Sequence, residues 1–184
     1  MSGTRHMPSG ARFTAVDVHY PATGGARAAC VVCGDIRYAT VVAEHVAWLA
    51  QVEPYRPGGF FARELPALGA VLALAGPIDL LVVDGYVDLD PDGRPGLGAH
   101  AHEAFDVPVV GVAKTAFRSA THAIPVSRGK ATRPLYVTAV GLPRAEAADV
   151  VKHMAGAYRL PDALRRVDAL ARGGATRGGT PDGG

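Results

Sequence analysis

The 184-residue chain reads as an α/β domain whose mixed sheet, an antiparallel meander running on into parallel strands, is flanked by helices. Three observations predict this. Segments 13–20, 27–33 and 36–44 are rich in Val, Tyr and Thr, and Gly24-Gly25 and Gly34-Asp35 between them supply turns, the pattern of consecutive hairpins. Apolar strands at 79–84 and 107–113 enclose a helical stretch at 97–104, an order that implies a right-handed parallel crossover. Between meander and crossover, Leu65, Leu68, Leu72 and Ala75 recur at three- and four-residue steps, the apolar stripe of a helix over about 61–75.

The remaining elements follow in order. A short helix is expected at about 43–51, then the Pro- and Gly-rich loop Glu53 to Gly59. After the crossover come a strand at 135–140 and two helices at about 143–157 and 161–172, the second opened by Pro161. Residues 1–12 are expected to form a flexible N-terminus and residues 173–184 a disordered Gly-rich tail, leaving 13–172 as the folded domain.

Composition narrows the function. No apolar stretch reaches the roughly 18 residues of a membrane span, and Met1 to Arg12 lack the apolar core of a signal peptide, so a soluble cytoplasmic monomer is expected. Cys30 and Cys33 resemble a redox or zinc pair. In a strand, however, an offset of three puts them on opposite faces, and no second pair completes a zinc site; they read as buried thiols. Net charge is only +2, but it is unevenly spread. Residues 1–114 carry 8 Lys/Arg against 12 Asp/Glu, and residues 115–184 carry 11 against 5. An acidic half beside a basic half suits a metal site flanked by a phosphate-binding surface, as it also suits a solvated surface of mixed sign.

Four acidic residues carry the chemistry. Asp17 interrupts the strand Phe13-Thr-Ala-Val-Asp17, and Asp84 closes Leu80-Leu-Val-Val-Asp84 just before Gly85. Glu64 lies at the start of the 61–75 helix, and Asp168 on the last helix. Burying a carboxylate costs several kcal/mol unless cations or hydrogen bonds compensate. Carboxylates gathered at the carboxyl ends of neighbouring strands therefore point to a hard divalent cation, Mg²⁺ or Mn²⁺. Singly, each has a plainer reading: a turn or cap for Asp84, a first-turn carboxylate for Glu64, a surface charge beside Arg165 for Asp168.

The topology, with carboxylates on the first and fourth strands, resembles the ribonuclease H fold, and five segments in order resemble the endonuclease V family, the deoxyinosine 3′ endonucleases. Val16-Asp17-Val18 is similar to its first metal-aspartate motif. Pro54-Tyr55-Arg56-Pro57 is similar to its Pro-Tyr-x-Pro wedge, followed at the family's spacing by Arg63-Glu64. Leu81-Val-Val-Asp84-Gly85 with Gly96-Leu-Gly-Ala-His100 resembles the strand and loop of its second aspartate. Val107 to Lys114 resembles the strand that presents its lysine, and Tyr158-Arg-Leu-Pro161 through Asp168 its C-terminal helix.

The resemblance implies a metal-dependent endonuclease acting on deaminated DNA or RNA. Asp17, Glu64, Asp84 and Asp168 would hold one or two Mg²⁺ (Mn²⁺ substituting), and Lys114 would neutralise charge on the phosphate. Pro54, Tyr55, Pro57, Gly58, Arg63 and Gly85 would contact the nucleic acid. The chain departs from the family in the loop after Asp84. Where the family has a second glycine, a histidine and an arginine, this chain has Val87, Asp90 and Asp92. The family's Ser-Pro-Gly-His-like turn has become Thr138-Ala-Val-Gly141. These departures fall on recognition positions, and they leave a second reading: a weakly active or inactive nucleic-acid-binding relative.

Overall fold

A computed structural model describes residues 10–57 and 59–174. The expected tail beyond Gly174, most of the N-terminal segment and Gly58 lie outside the described residues. Seven strands, β1 (Phe13–His19), β2 (Ala26–Cys33), β3 (Val41–Leu49), β4 (Leu80–Asp84), β5 (Val109–Ala113), β6 (Ile124–Val126) and β7 (Leu135–Val140), form one sheet in the order β3-β2-β1-β4-β5-β7-β6. β1, β2 and β3 are the antiparallel meander; β1, β4 and β5 run parallel; β7 and β6 return antiparallel. Helices α1 (Phe60–Ala75) and α2 (Leu97–Phe105) cover one face, α3 (Arg144–His153) and α4 (Asp162–Ala171) the other. The predicted mixed sheet flanked by helices is therefore observed.

Strand alternation sorts the core into two layers. Phe13, Ala15 and Val82 pack with Leu164 and Val167 of α4, whereas Val16, Leu81 and Val83 pack with Leu68 and Val71 of α1. Cys33 belongs to the first layer and Cys30 to the second; both are buried and free, as the offset of three predicts.

Three local readings need correction. The third strand begins at Val41, not residue 36, and the helix expected over 43–51 is the rest of that strand, Leu49 pairing with Ala26. The cause is the loop before it. The Asp35 carboxylate accepts backbone N–H bonds from Arg37 (3.0 Å), Ala39 (3.2 Å) and Thr40 (2.7 Å). Tyr38 takes a left-handed conformation (φ 54°) and buries its ring against Phe13, with its hydroxyl donating to the Leu80 carbonyl. That loop consumes the residues assigned to the strand, and pairing starts at Val41 opposite Cys33, with an irregularity before Ala43 pairs with Val32. Replacing Asp35 by Ala removes the acceptor of all three amides and is expected to lower unfolding free energy by about 1–3 kcal/mol in urea titration, with Asn retaining part of it.

β6 was not foreseen. It is three residues long, lies at the sheet edge and contains Pro125, a residue that edges tolerate because no ladder donor is needed there. α3 stops at His153 rather than near 157. The Ala155 amide bonds instead to the Arg37 carbonyl, and the buried Arg128 guanidinium donates to the carbonyls of Met154, Gly156 and Arg159. Among the described residues no helix is long and apolar enough to cross a membrane.

Candidate active site

The parallel pairing of β1 with β4 builds the site. Val16 lies opposite Val83, so the next residues, Asp17 and Asp84, emerge side by side at the carboxyl ends of neighbouring strands, where open α/β sheets bind ligands. By alternation both share the face of Ala15 and Val82, toward α4. Asp168 projects from that helix. Glu64 arrives from the first turns of α1 on the opposite face and is buried. β5 ends at Ala113, and Lys114 follows. Asp17, Glu64, Asp84, Lys114 and Asp168 all line one cavity of about 330 Å³. Five residues predicted separately thus meet in one place.

The electrostatics of the cavity are those of a cation deficit. Burial, then the neighbouring Asp84 and Asp168 charges, push the Asp17 carboxyl up to about 7, against a hydrogen bond from the Val18 amide (2.9 Å). Burial, then Asp17 and Asp84, push Glu64 up to about 8. Two cations answer these charges. Lys114 donates to Asp84 Oδ2 at 2.9 Å; burial lowers its ammonium pKa, but the bond to Asp84 and the surrounding carboxylates outweigh that and raise it. Arg172, one turn beyond Asp168, pairs with its Oδ1 at 3.0 Å.

Asp84 is turned onto Lys114 and Asp168 onto Arg172, and no group of three or more His, Cys, Asp or Glu among the described residues stands at metal-holding spacing. The donor set nevertheless fits a hard divalent ion: four carboxylates on one cavity, two of them raised by burial and then by neighbouring carboxylate charge.

Sequence reasoning did not single out Arg172, although its four-residue offset from Asp168 on a helix is a readable signal. His19 also lines the cavity, two residues beyond Asp17 on the same strand face. His100 stacks on Phe61 with ring centroids 3.7 Å apart, tying α2 to the start of α1.

The predicted nucleic-acid contacts surround this cavity differently. Tyr55, Pro54 and Pro57 are exposed on the loop before α1. Arg63 lays its guanidinium over the Tyr20 ring, 3.9 Å from its centroid. Gly85 (φ 121°) turns the chain sharply after Asp84, and nothing stands within 4 Å of the place a Cβ would occupy. The loop then folds across β5 so closely that a Cβ on Gly111 would meet the Gly85 carbonyl oxygen at 2.6 Å. Val87 donates its amide to Thr138 Oγ1 (2.8 Å) and is fully buried in the α1–α2 layer. Asp90 organises the turn: its Oδ1 accepts the amides of Asp92 and Arg94, and its Oδ2 lies 3.4 Å from Arg94 Nε. Its charge is thus largely committed within the loop. Asp92 is exposed.

The endonuclease V family profile matches residues 4–142. Endonuclease V of Streptomyces coelicolor is 37% identical over 90% of this chain and 79% of its own length. The crystal structure of Streptomyces avermitilis endonuclease V superposes with a TM-score of 0.74 at 29% identity, covering 90% of this chain and 82% of that one. Ciona intestinalis endonuclease V, solved in complex with a 23mer DNA containing an inosine, has a TM-score of 0.76 at 18% identity, over 88% and 83% of the two chains, a likeness of fold.

Proposed function

The chain belongs to the endonuclease V family of nucleases, and we propose that residues 13–172 form a divalent-metal-dependent endonuclease domain that hydrolyses phosphodiester bonds in deaminated, inosine-containing or otherwise irregular DNA or RNA. The observation that carries this reading is the single cavity lined by Asp17, Glu64, Asp84, Asp168 and Lys114.

Asp17, Asp84, Glu64 and Asp168 are the residues that would hold Mg²⁺, with Mn²⁺ substituting. When bound, the ion supplies Lewis-acid activation of water and neutralises charge at the phosphate. The protein's own groups do the rest. Lys114, within hydrogen-bond reach of Asp84, sits where an ammonium can meet charge accumulating on phosphate oxygens. Tyr55, flanked by Pro54 and Pro57, has the stiffness of a side chain that wedges between stacked bases. The bare backbone at Gly85 leaves room for a displaced base beside Asp84, and Gly58 belongs to the same wedge loop by sequence. Arg63 on Tyr20 places a guanidinium beside Glu64.

The test is a panel of inosine, uracil, mismatched and plain oligonucleotides, single- and double-stranded, with Mg²⁺ or Mn²⁺. The inosine strand is expected to be cut in preference to the plain one. No cleavage of any substrate at high enzyme concentration overturns the proposal.

Val87, Asp90 and Asp92 motivate the second reading, a nucleic-acid-binding relative with little turnover. The commitment of Asp90 to its own turn weakens the repulsion that reading needs, whereas the exposed Asp92 supports it. Binding without turnover at millimolar Mg²⁺ distinguishes the two.

A further inference from the structure

Beside the catalytic cavity, on the basic C-terminal part of the chain, lies an open concavity of about 740 Å³ whose lining includes Lys130, Tyr158, Arg159, Leu160 and Arg165. Tyr158 is 63% exposed, the most exposed large apolar side chain among the described residues. The Arg165 guanidinium stands over the Tyr158 ring, 4.7 Å from its centroid, so the cation backs one face of an aromatic platform; Arg165 also lies 3.9 Å from Asp162. Lys130 is exposed at the rim.

The platform is rigid. Arg159 donates to the carbonyls of Arg133, Pro134 and Lys114, and Arg128 holds the carbonyls of Met154, Gly156 and Arg159 itself. It also adjoins the candidate site. Leu160 lines both this concavity and the crevice beneath Asp17, Asp84, Lys114 and Asp168, and Arg159 bonds the backbone of Lys114 itself.

We propose that this surface is a single-strand track: Tyr158 and Arg165 stack an unpaired base of the substrate while Lys130 takes a backbone phosphate on one side of the scissile bond. An exposed aromatic beside cations, in register with a phosphodiester-cleaving site, is the chemistry that binds single strands without regard to sequence. A basic rim suits any polyanion, and adjacency to the cleavage site, through Leu160 and the Arg159 bond to the Lys114 carbonyl, selects the substrate strand. The proposal rests on the nuclease reading above.

Tyr158→Ala and Lys130→Ala, at exposed positions, test it. Affinity is read by anisotropy on a fluorescent single-stranded oligonucleotide with Ca²⁺ in place of Mg²⁺, and turnover by single-turnover cleavage with Mg²⁺. Each variant is expected to bind about tenfold more weakly. Lys130→Ala alone should reduce the salt slope of log affinity by about 0.7 to 0.9. The maximal cleavage rate should stay that of wild type, and trimming the oligonucleotide on one side of the lesion should erase the difference.

Wild-type affinity and slope in both variants, with an active wild type, overturn the track and leave the nuclease reading standing. A lower maximal rate at unchanged affinity also overturns it. Weakened variants of a wild type that binds but never cuts uphold the track and sink the nuclease reading. A wild type that neither binds nor cuts overturns both.

Discussion

Asp84→Ala is expected to reduce cleavage by about a thousandfold or more while leaving the protein folded. Asp84 ends β4 beside Asp17, bonds Lys114 and lines the cavity with Glu64 and Asp168, so its carboxylate is placed to hold the ion. Losing one ligand of a divalent ion forfeits several kcal/mol of transition-state charge stabilisation, and each 1.4 kcal/mol is a factor of ten in rate. Stability should not fall by more than about 1 kcal/mol, because the Asp84 side chain is 42% exposed and its pair with Lys114 is a surface ion pair worth about 0–1 kcal/mol. Losing a charge that raises Asp17 and Glu64 acts in the opposite direction. The measurements are single-turnover cleavage with Mg²⁺, Mn²⁺ titration by calorimetry and thermal unfolding. Activity within tenfold of wild type, with Mn²⁺ affinity unchanged, would remove Asp84 from the site. Asp90→Asn is the contrasting variant: it loosens a turn 6 residues further on and should not touch metal affinity.

What the sequence made legible were features whose cause is local. A carboxylate closing an apolar strand has few structural explanations, so Asp17 and Asp84 stand out before any fold is known, and Gly85 marks the turn that follows. Period-two alternation alone places Cys30 and Cys33 on opposite faces. The unforeseen features depend on distant partners. β3 begins late because the Asp35 carboxylate and the buried Tyr38 ring organise the preceding loop, and the Tyr38 hydroxyl answers a carbonyl on β4. α3 ends early because Arg128 and Arg37, far off in sequence, claim the carbonyls and amide of the next turn. Glu64 reaches the cavity from the opposite face to Asp168, a meeting that only the sheet order brings about.

The metal-free protein should also carry a stability defect of definite sign. Asp17 and Glu64 are raised from 3.8 and 4.5 to about 7 and about 8, chiefly by burial and then by neighbouring carboxylates. A carboxyl raised on folding favours the folded state below its unfolded value, near pH 4, and that stability is lost as pH climbs through the folded value. In EDTA, therefore, stability contributed by this pair disappears between about pH 4 and pH 8. The Asp17 rise alone corresponds to about 4 kcal/mol at about 1.4 kcal/mol per pH unit, and because the two groups raise each other their contributions do not add. Asp17→Asn removes the charge and keeps the shape. In EDTA it should melt roughly 10 °C above wild type at pH 8 and level with it at pH 4. Mn²⁺ should reverse the order at pH 8, raising wild type and not the variant, since a carboxylate binds a cation only when ionised. The variant should also be inactive, so that a change which stabilises the metal-free protein is one that destroys its chemistry. A variant less stable than wild type at pH 8 in EDTA, or a difference that does not vary with pH, would show that these carboxylates are compensated without a cation.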